Sequence, residues 1–323
     1  MTNHVRWGIL GAAKFAREHM GPAINGSRGG VLSAIASSSA AKAAPFEEIA
    51  PGIRVFDSYD ALLAAPEIDA IYIPLPNALH VEWTEKAAAA GKHVLCEKPI
   101  AMDRDGISRL IEARERSGKL IAEAWMIAHH PQYRKARELL QDGAIGPLVR
   151  VDSTHSFFNA DMDNIRNRPE TGGGALGDIG VYAFGAIRLL TGQDAQNIIA
   201  AQIERINGVD VSAHVMAQFE SFVYTGRVSM RAAPWQEITL HGQDGVIRMP
   251  VPFNAQVFGE ARVELHRPGG HVETWGFARD NHYLTQVETF NKAVLGQADW
   301  PLPLEDSGAT RDFLDAIIAA AGN

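Results

Sequence analysis

The chain has 323 residues, of which 46% are apolar and 21% charged, with a formal net charge of -8. That length exceeds what one hydrophobic core comfortably fills, so two domains are expected. The acidic balance gives no general electrostatic reason to approach nucleic acid or an anionic membrane, and neither partner is expected. No apolar run is long enough to span a bilayer. Cys96 is the single cysteine, which excludes an internal disulfide framework and a thiolate metal cluster. His129 and His130 lack a matching ligand pair, so no metal is expected, and cytoplasmic residence is the default.

In chain order, Val5–Leu10 reads as a buried strand that runs into Gly11-Ala12-Ala13-Lys14-Phe15-Ala16 and then a helix past Ile24. Val31–Ala36 is a second apolar strand, broken by Ser37-Ser38-Ser39, with Ala-rich helical sequence after it. Ile53–Phe56 is a short strand, and Ser58 suits the cap of the next helix. Asp69–Ile73 is a strand stopped by Pro74 and Pro76. Val94–Cys96 and Leu120–Glu123 follow, separated by a helix over Arg104–Ser117 that Gly118 closes. Alternating short strands and helices call for a mostly parallel, doubly wound sheet.

Beyond Glu123 the rhythm changes. Tyr133–Gln141 and Leu176–Leu190 read as helices. From Ile198 to Glu273 strand-like pieces dominate, and Val211–Phe219 pairs with Tyr224–Met230 through a turn at Glu220 and Ser221. Ile238–Leu240 and Val246–Arg248 flank a hairpin connection. Helices return over 281–294 and 308–320. The expected architecture is a dinucleotide-binding Rossmann domain over residues 1–123 and an α+β domain over 124–323. The second carries a large, open, predominantly antiparallel sheet for substrate binding and oligomerisation. Whether the last helix packs back on the first domain stays open.

The chemistry begins at Gly11. A Gly-x-Gly-x-x-Ala fingerprint with alanine in its second glycine position lies directly between a strand and a helix, where such a turn binds pyrophosphate. Gly11 permits the tight turn, Ala12 follows it in the cofactor-binding loop, and small Ala13 and Ala16 limit obstruction near the pyrophosphate and the helix–strand contact. Backbone N–H groups at the start of the helix, around Lys14 and Phe15, can then hold anionic oxygens. The end of the second strand should read the adenosine ribose. Ser37 and Ser38 stand there instead of a carboxylate, and Lys42 follows about one helical turn later. Hydroxyls and a positive charge without an acidic group favour NADP(H), with NAD(H) still compatible. The serines fit equally well as loop formers.

Two further motifs are Cys96-Glu97-Lys98-Pro99 and the run from Gly172 to Tyr182, Gly-Gly-Gly-Ala-Leu-Gly-Asp-Ile-Gly-Val-Tyr. With the opening fingerprint, Ala122-Glu123-Ala124 and His130-Pro131-Gln132, this ordered set resembles the glucose–fructose oxidoreductase, inositol dehydrogenase and rhizopine catabolism family over nearly the whole chain. The resemblance implies substrate bound between the two domains and a homodimer or homotetramer formed through the second-domain sheet. It further implies that Lys98 is the active-site lysine, Asp178 the substrate-orienting aspartate and Tyr182 the catalytic tyrosine. Arg166 and Trp125 are expected beside the substrate. Pro74, Leu75, Asn77 and His80 are expected beside the nicotinamide and its ribose, with Glu97 and Lys98 bordering the cofactor.

Independent chemistry supports the assignment. Asp178 and Tyr182 are four residues apart and share a helical face. Alcohol oxidation needs a base at the hydroxyl while hydride leaves the same carbon, and a lysine ammonium would favour the tyrosine phenolate. The plainer alternatives are that Tyr182 fills a helix–sheet contact and that Asp178 caps the helix after the glycine turn. Ala128 stands where the family often has arginine, which weakens transfer of any one sugar specificity. Tyr182 in place of histidine points away from the inositol dehydrogenase branch.

The expected activity is NADP-preferring hydride transfer between nicotinamide and a small polyhydroxylated substrate, a sugar or cyclic polyol. Dihydrodiol dehydrogenase and anhydrosugar reductase are the enzymatic alternatives, and a dinucleotide- or sugar-binding sensor is the non-enzymatic one.

Overall fold

The computed structural model describes residues 4–322. It forms two compact units, one running to Met126 and including His282–Gly308, the other comprising Ile127–Asn281 and the chain from Ala309 onward.

In the first unit, six strands form one parallel sheet. They are β1 (Val5–Leu10), β2 (Gly30–Ala36), β3 (Arg54–Phe56), β4 (Ala70–Ile73), β5 (His93–Glu97) and β6 (Ile121–Ala124), in the order β3-β2-β1-β4-β5-β6. All four residues of β4 are buried, as a central strand covered on both faces requires. Local chemistry sets the helix ends. Asp103 Oδ1 accepts from the Gly106 N–H at 2.8 Å, and Gly118 (φ 63°) closes Arg104–Ser117 in the left-handed region. Ser58 caps its helix by accepting from the Ala61 N–H at 3.2 Å.

The division expected at Glu123 needs one correction, because His282–Gly308 belongs with the first unit. The reason is a buried polar clamp on helix His282–Val294. Trp7 Nε1 donates to Asn291 Oδ1 at 2.9 Å. Asn291 Nδ2 donates to Ser27 Oγ at 3.0 Å and to the Arg28 carbonyl at 3.1 Å. Phe290 packs its ring 4.9 Å from that of Trp7. The penultimate helix is therefore the one that completes the Rossmann unit. Of the last helix, Leu304–Ala321, only the first turn falls within that unit.

The second unit has an eight-stranded sheet: β7 (Leu148–Phe158), β8 (Asn197–Ile206), β9 (Val209–Gln218), β10 (Val223–Ser229), β11 (Arg231–Gly242), β12 (Val246–Met249), β13 (Arg262–Arg267) and β14 (His271–Gly276). The order is β14-β13-β12-β11-β7-β10-β9-β8. Only the β7–β10 pair is parallel, so the sheet is predominantly antiparallel as expected. One face is covered, with Val151, Ser153, His155, Ile238 and Leu240 buried. The other carries ion pairs. Glu264 accepts from Arg262 at 2.6 Å and Arg248 at 3.2 Å, and Arg248 also reaches Glu237 at 2.6 Å.

The helix expected over Leu176–Leu190 is not continuous. Leu176–Gly180 is π-helical, Val181–Ala183 a short α-turn, and Gly185–Thr191 a separate helix. Gly177, Gly180 and Gly185 weaken a regular helix there, and π-turns recur at functional sites.

Candidate active site

In the first unit, the strand order reverses direction at β1, where β2 lies on one side and β4 on the other. The carboxyl ends of these strands at such a switch point form the crevice where an open α/β sheet binds its ligand. Gly11 ends β1 with φ 94°, a conformation that strains any residue bearing a Cβ. A Cβ built there would lie 3.2 Å from both the Leu75 side chain and the Tyr59 hydroxyl. Ala12 and Ala13 add only methyl groups, and the Lys14 side chain is 79% exposed, turned toward Glu18. The bare backbone of this turn fits a dinucleotide diphosphate. Phe15 is already engaged, edge-on to Tyr283 at 5.5 Å.

At the end of β2 the serines divide their labour. Ser37 is buried, and its hydroxyl donates to the Ser39 carbonyl at 3.0 Å and accepts from the Ser39 N–H at 3.2 Å. Ser37 thereby holds the turn at the end of β2, where the ribose is expected. Ser39 Oγ accepts from the Lys42 N–H at 3.3 Å. Ser38 and Lys42 are exposed and remain the groups able to meet a phosphate.

His80 packs against the Pro74–Asn77 loop. Its side chain is fully buried, with Nδ1 2.8 Å from the Pro99 carbonyl oxygen and Nε2 2.8 Å from that of Leu75. Neither ring nitrogen is left for a cofactor. Burial holds its pKa below the usual histidine value, with the Lys98 charge acting in the same direction. His80 joins the Pro74–Asn77 loop to the backbone just after Lys98, and so shapes the site from behind. Leu75 faces Gly11, and Asn77 opens a single 3-10 turn.

Lys98 follows β5, joined to Pro99 by a cis peptide. Its charge reaches three buried or part-buried neighbours, favouring ionisation of Glu97 and Glu123 and opposing protonation of His80. Glu97 accepts from the Tyr72 hydroxyl at 2.7 Å. Burial raises Glu97 to about 6. Glu123 is also raised by burial, while it accepts from the Ile100 N–H at 2.9 Å and the Ser307 hydroxyl at 2.7 Å. Trp125, expected at the substrate, has its indole N–H closed off from solvent and unmet.

In the second unit, Arg166 Nε donates to Asp178 Oδ2 at 2.6 Å, with the Asp178 side chain 15% exposed. Asp178 is not a helix cap. That role falls to Asp210, whose Oδ2 accepts from the Leu176 N–H at 2.6 Å. A Cβ on Gly174 (φ 138°) would collide with the Asp210 carboxylate. Tyr182 is buried, its ring 6.0 Å from His155 and 6.1 Å from Phe253. His155 and Phe253 stack at 4.7 Å, and Asn254 Nδ2 lies 3.3 Å from His155 Nε2. Sequence reasoning missed His155, Phe253, Tyr72 and Tyr283. All four are spaced far from the motifs they touch, and no local pattern marks them. Among the described residues no three His, Cys, Asp or Glu side chains gather as a metal site, and no helix is long and apolar enough to cross a membrane.

A family model described as an oxidoreductase family with an NAD-binding Rossmann fold matches residues 5–124, and the GFO/IDH/MocA C-terminal domain matches 133–248. The chain belongs to the GFO/IDH/MocA oxidoreductase family. It is an NAD(P)-dependent oxidoreductase. Among its GFO/IDH/MocA relatives, the dTDP-3,4-didehydro-2,6-dideoxy-alpha-D-glucose 3-reductase of Saccharopolyspora spinosa is 38% identical over 329 residues, covering 100% of this chain and 98% of the relative. An uncharacterised oxidoreductase of Rhizobium meliloti is 36% identical over 98% of this chain and 97% of its own. The crystal structure of KijD10, a 3-ketoreductase from Actinomadura kijaniata in complex with NADP and TDP-benzene, superposes with a TM-score of 0.91. It is 30% identical, over 98% of each chain.

Proposed function

We propose that this protein is an NADP-preferring oxidoreductase that interconverts a hydroxyl and a carbonyl on a sugar or cyclic polyol. The observation that carries the reading is the single carboxyl-terminal edge of the parallel sheet. There the bare Gly11 turn, the exposed Ser38 and Lys98 stand just past strand ends, with the exposed Lys42 on the short helix after β2. Nicotinamide, when bound, gives or takes the hydride. The turn around Gly11 to Ala13 holds the diphosphate, and Ser38 with Lys42 meets a 2′-phosphate that no carboxylate repels. The NADP in the related 3-ketoreductase supports that choice.

The second unit supplies the substrate groups. Asp178, fixed by Arg166, orients a substrate hydroxyl, and Tyr182 gives a proton to the carbonyl oxygen during reduction or takes it during oxidation. The Lys98 ammonium stabilises the phenolate this leaves. The open sheet face with its Arg248, Glu237 and Glu264 ion pairs, and the exposed Trp235, support a homo-oligomer, since aromatic residues and arginine are enriched where proteins meet.

A nucleotide-linked keto sugar is the second reading, favoured by the 38% identical relative named as a dTDP-sugar 3-reductase. Turnover with NADPH and NADH should be measured on two groups of compounds: free aldoses, inositols, anhydrosugars and cyclic diols, and dTDP-linked 3-keto sugars. Reaction with the free compounds supports the first reading, and reaction confined to the dTDP-linked group supports the second. Cofactor binding without turnover on either would leave a sensor.

A further inference from the structure

Two buried hydroxyls of the second unit meet one main-chain carbonyl beside Tyr182, and the reading above uses neither of them. Tyr224 on β10 and Ser153 on β7 are both buried, with their oxygens 2.5 Å apart. Ser153 Oγ donates to the Ala183 carbonyl at 2.9 Å, and the Tyr224 oxygen lies 3.2 Å from the same carbonyl. Two hydroxyls bring two protons to these three contacts. The two shorter contacts form a chain in which the phenol donates to Ser153 and Ser153 donates to Ala183. Burial holds the Tyr224 phenol above its usual range, so it keeps the proton it donates.

The place of that carbonyl gives the contact its meaning. Ala183 ends the short α-turn Val181–Ala183, and Phe184 separates it from helix Gly185–Thr191. One continuous helix therefore does not set the path of the chain at Tyr182, and the sheet beneath supplies the constraint. Gly226 pairs with Ser153 across the two strands, and a Cβ there would collide with the Tyr224 hydroxyl and the Phe184 ring. The bare glycine leaves the space that both groups fill. On β7, Ser153 and His155 are two residues apart, so they face the same side. The first fixes the main chain beside Tyr182, and the second lies 6.0 Å from its ring. We propose that Ser153 and Tyr224 are positioning residues for Tyr182, their hydroxyls fixing the Ala183 carbonyl so that the Tyr182 phenol is aimed at the substrate oxygen. The proposal rests on the role given to Tyr182 above.

Tyr224→Phe and Ser153→Ala each delete one oxygen and leave the rest of the wall in place. On the substrate found by the turnover panel, each should slow single-turnover hydride transfer by about tenfold at saturating substrate and cofactor, the cost of a misplaced reacting group. NADP(H) dissociation constants should stay at wild-type values, because neither residue belongs to the Rossmann unit. The double variant should be no slower than the poorer single one, since both hydroxyls serve one carbonyl. A general loosening of the fold would slow the reaction in any background, so the deciding measurement repeats Tyr224→Phe in Tyr182→Phe protein. With no phenol left to aim, the added substitution should change the rate by less than about twofold. Should Ser153→Ala fail to fold, Tyr224→Phe carries this cycle by itself. A normal rate in either folded single variant overturns the proposal and leaves the role of Tyr182 standing. So does the same loss from Tyr224→Phe with and without the Tyr182 hydroxyl. A normal rate in Tyr182→Phe overturns that role and the proposal together.

Discussion

Arg166 and Asp178, twelve residues apart in the chain, form an ion pair of 2.6 Å, which ties an exposed loop to the π-helical turn preceding Tyr182. Both were expected beside the substrate, and their pairing makes them one unit. Arg166 neutralises and orients the carboxylate, so removing either partner misplaces the other. At a half-exposed arginine the pair itself adds little stability.

Arg166→Ala and Asp178→Asn should therefore leave the melting temperature nearly unchanged and each lower kcat/KM by about tenfold to a hundredfold. The double variant should be little worse than the poorer single one, because the two act together. Additive losses in a double-mutant cycle of kcat/KM would show that they contact the substrate independently.

Cofactor selection should reside in the exposed pair at the end of β2. Ser38→Asp places a carboxylate where a 2′-phosphate is expected, so NADP(H) affinity should fall by about tenfold or more and NAD(H) affinity by much less. Lys42→Ala should weaken NADP(H) alone, with the difference shrinking as salt is raised. Ser37→Ala should act differently and loosen the turn for both cofactors alike, because its hydroxyl is spent on Ser39. Dissociation constants for both cofactors under matched conditions decide the matter.

The Asn291 clamp predicts a stability effect at a residue remote in sequence from the strands it serves. Asn291→Ala strands the buried Trp7 indole N–H and removes the donor to Ser27 and the Arg28 carbonyl. Leaving such groups unpaired costs about 1–3 kcal/mol. The unfolding free energy should fall by that amount, read as a lower denaturant midpoint at unchanged slope, and hydrogen exchange should accelerate in β1 and β2. Protection unchanged in those strands would contradict the clamp.

Legibility in the sequence followed the reach of each signal. The parallel strands were readable because burial on both faces makes them continuous apolar runs, as in Ala70–Ile73. Strand β7 escaped because its inward positions include Ser153 and His155, which break the apolar alternation although both are buried. The membership of His282–Gly308 rests on contacts with Trp7 and Ser27, more than 250 residues away in the chain, which periodicity cannot show. In the candidate site, Gly11 and Lys98 were legible from strand-end position. The backbone contacts of Ser37 and His80 were not legible, because residue type says nothing about whether a polar atom also bonds local backbone.

The last prediction concerns the proton. Lys98 stands at the end of β5, its charge already expressed in the ionisation of Glu97, Glu123 and His80. Lys98→Met keeps most of the side-chain length and removes that charge. Tyr182→Phe keeps the ring against His155 and Phe253 and removes only the hydroxyl. If the hydroxyl passes the proton and the ammonium stabilises its phenolate, each change should lower single-turnover hydride transfer by about 10²–10⁴. NADP(H) dissociation constants should stay within about threefold of wild type for Tyr182→Phe, which lies outside the Rossmann unit. The double variant should be no slower than the poorer single one, since the ammonium has nothing to stabilise once the hydroxyl is gone. The pH profile supplies the sign. If that ammonium favours the phenolate, the alkaline-side rise in alcohol oxidation should move to higher pH in Lys98→Met and disappear in Tyr182→Phe. An unshifted alkaline limb in folded Lys98→Met would separate the lysine from the proton and leave it a cofactor contact. A normal transfer rate in Tyr182→Phe would pass the proton to another group, and His155, buried 6.0 Å from the same ring, would be the next residue to change.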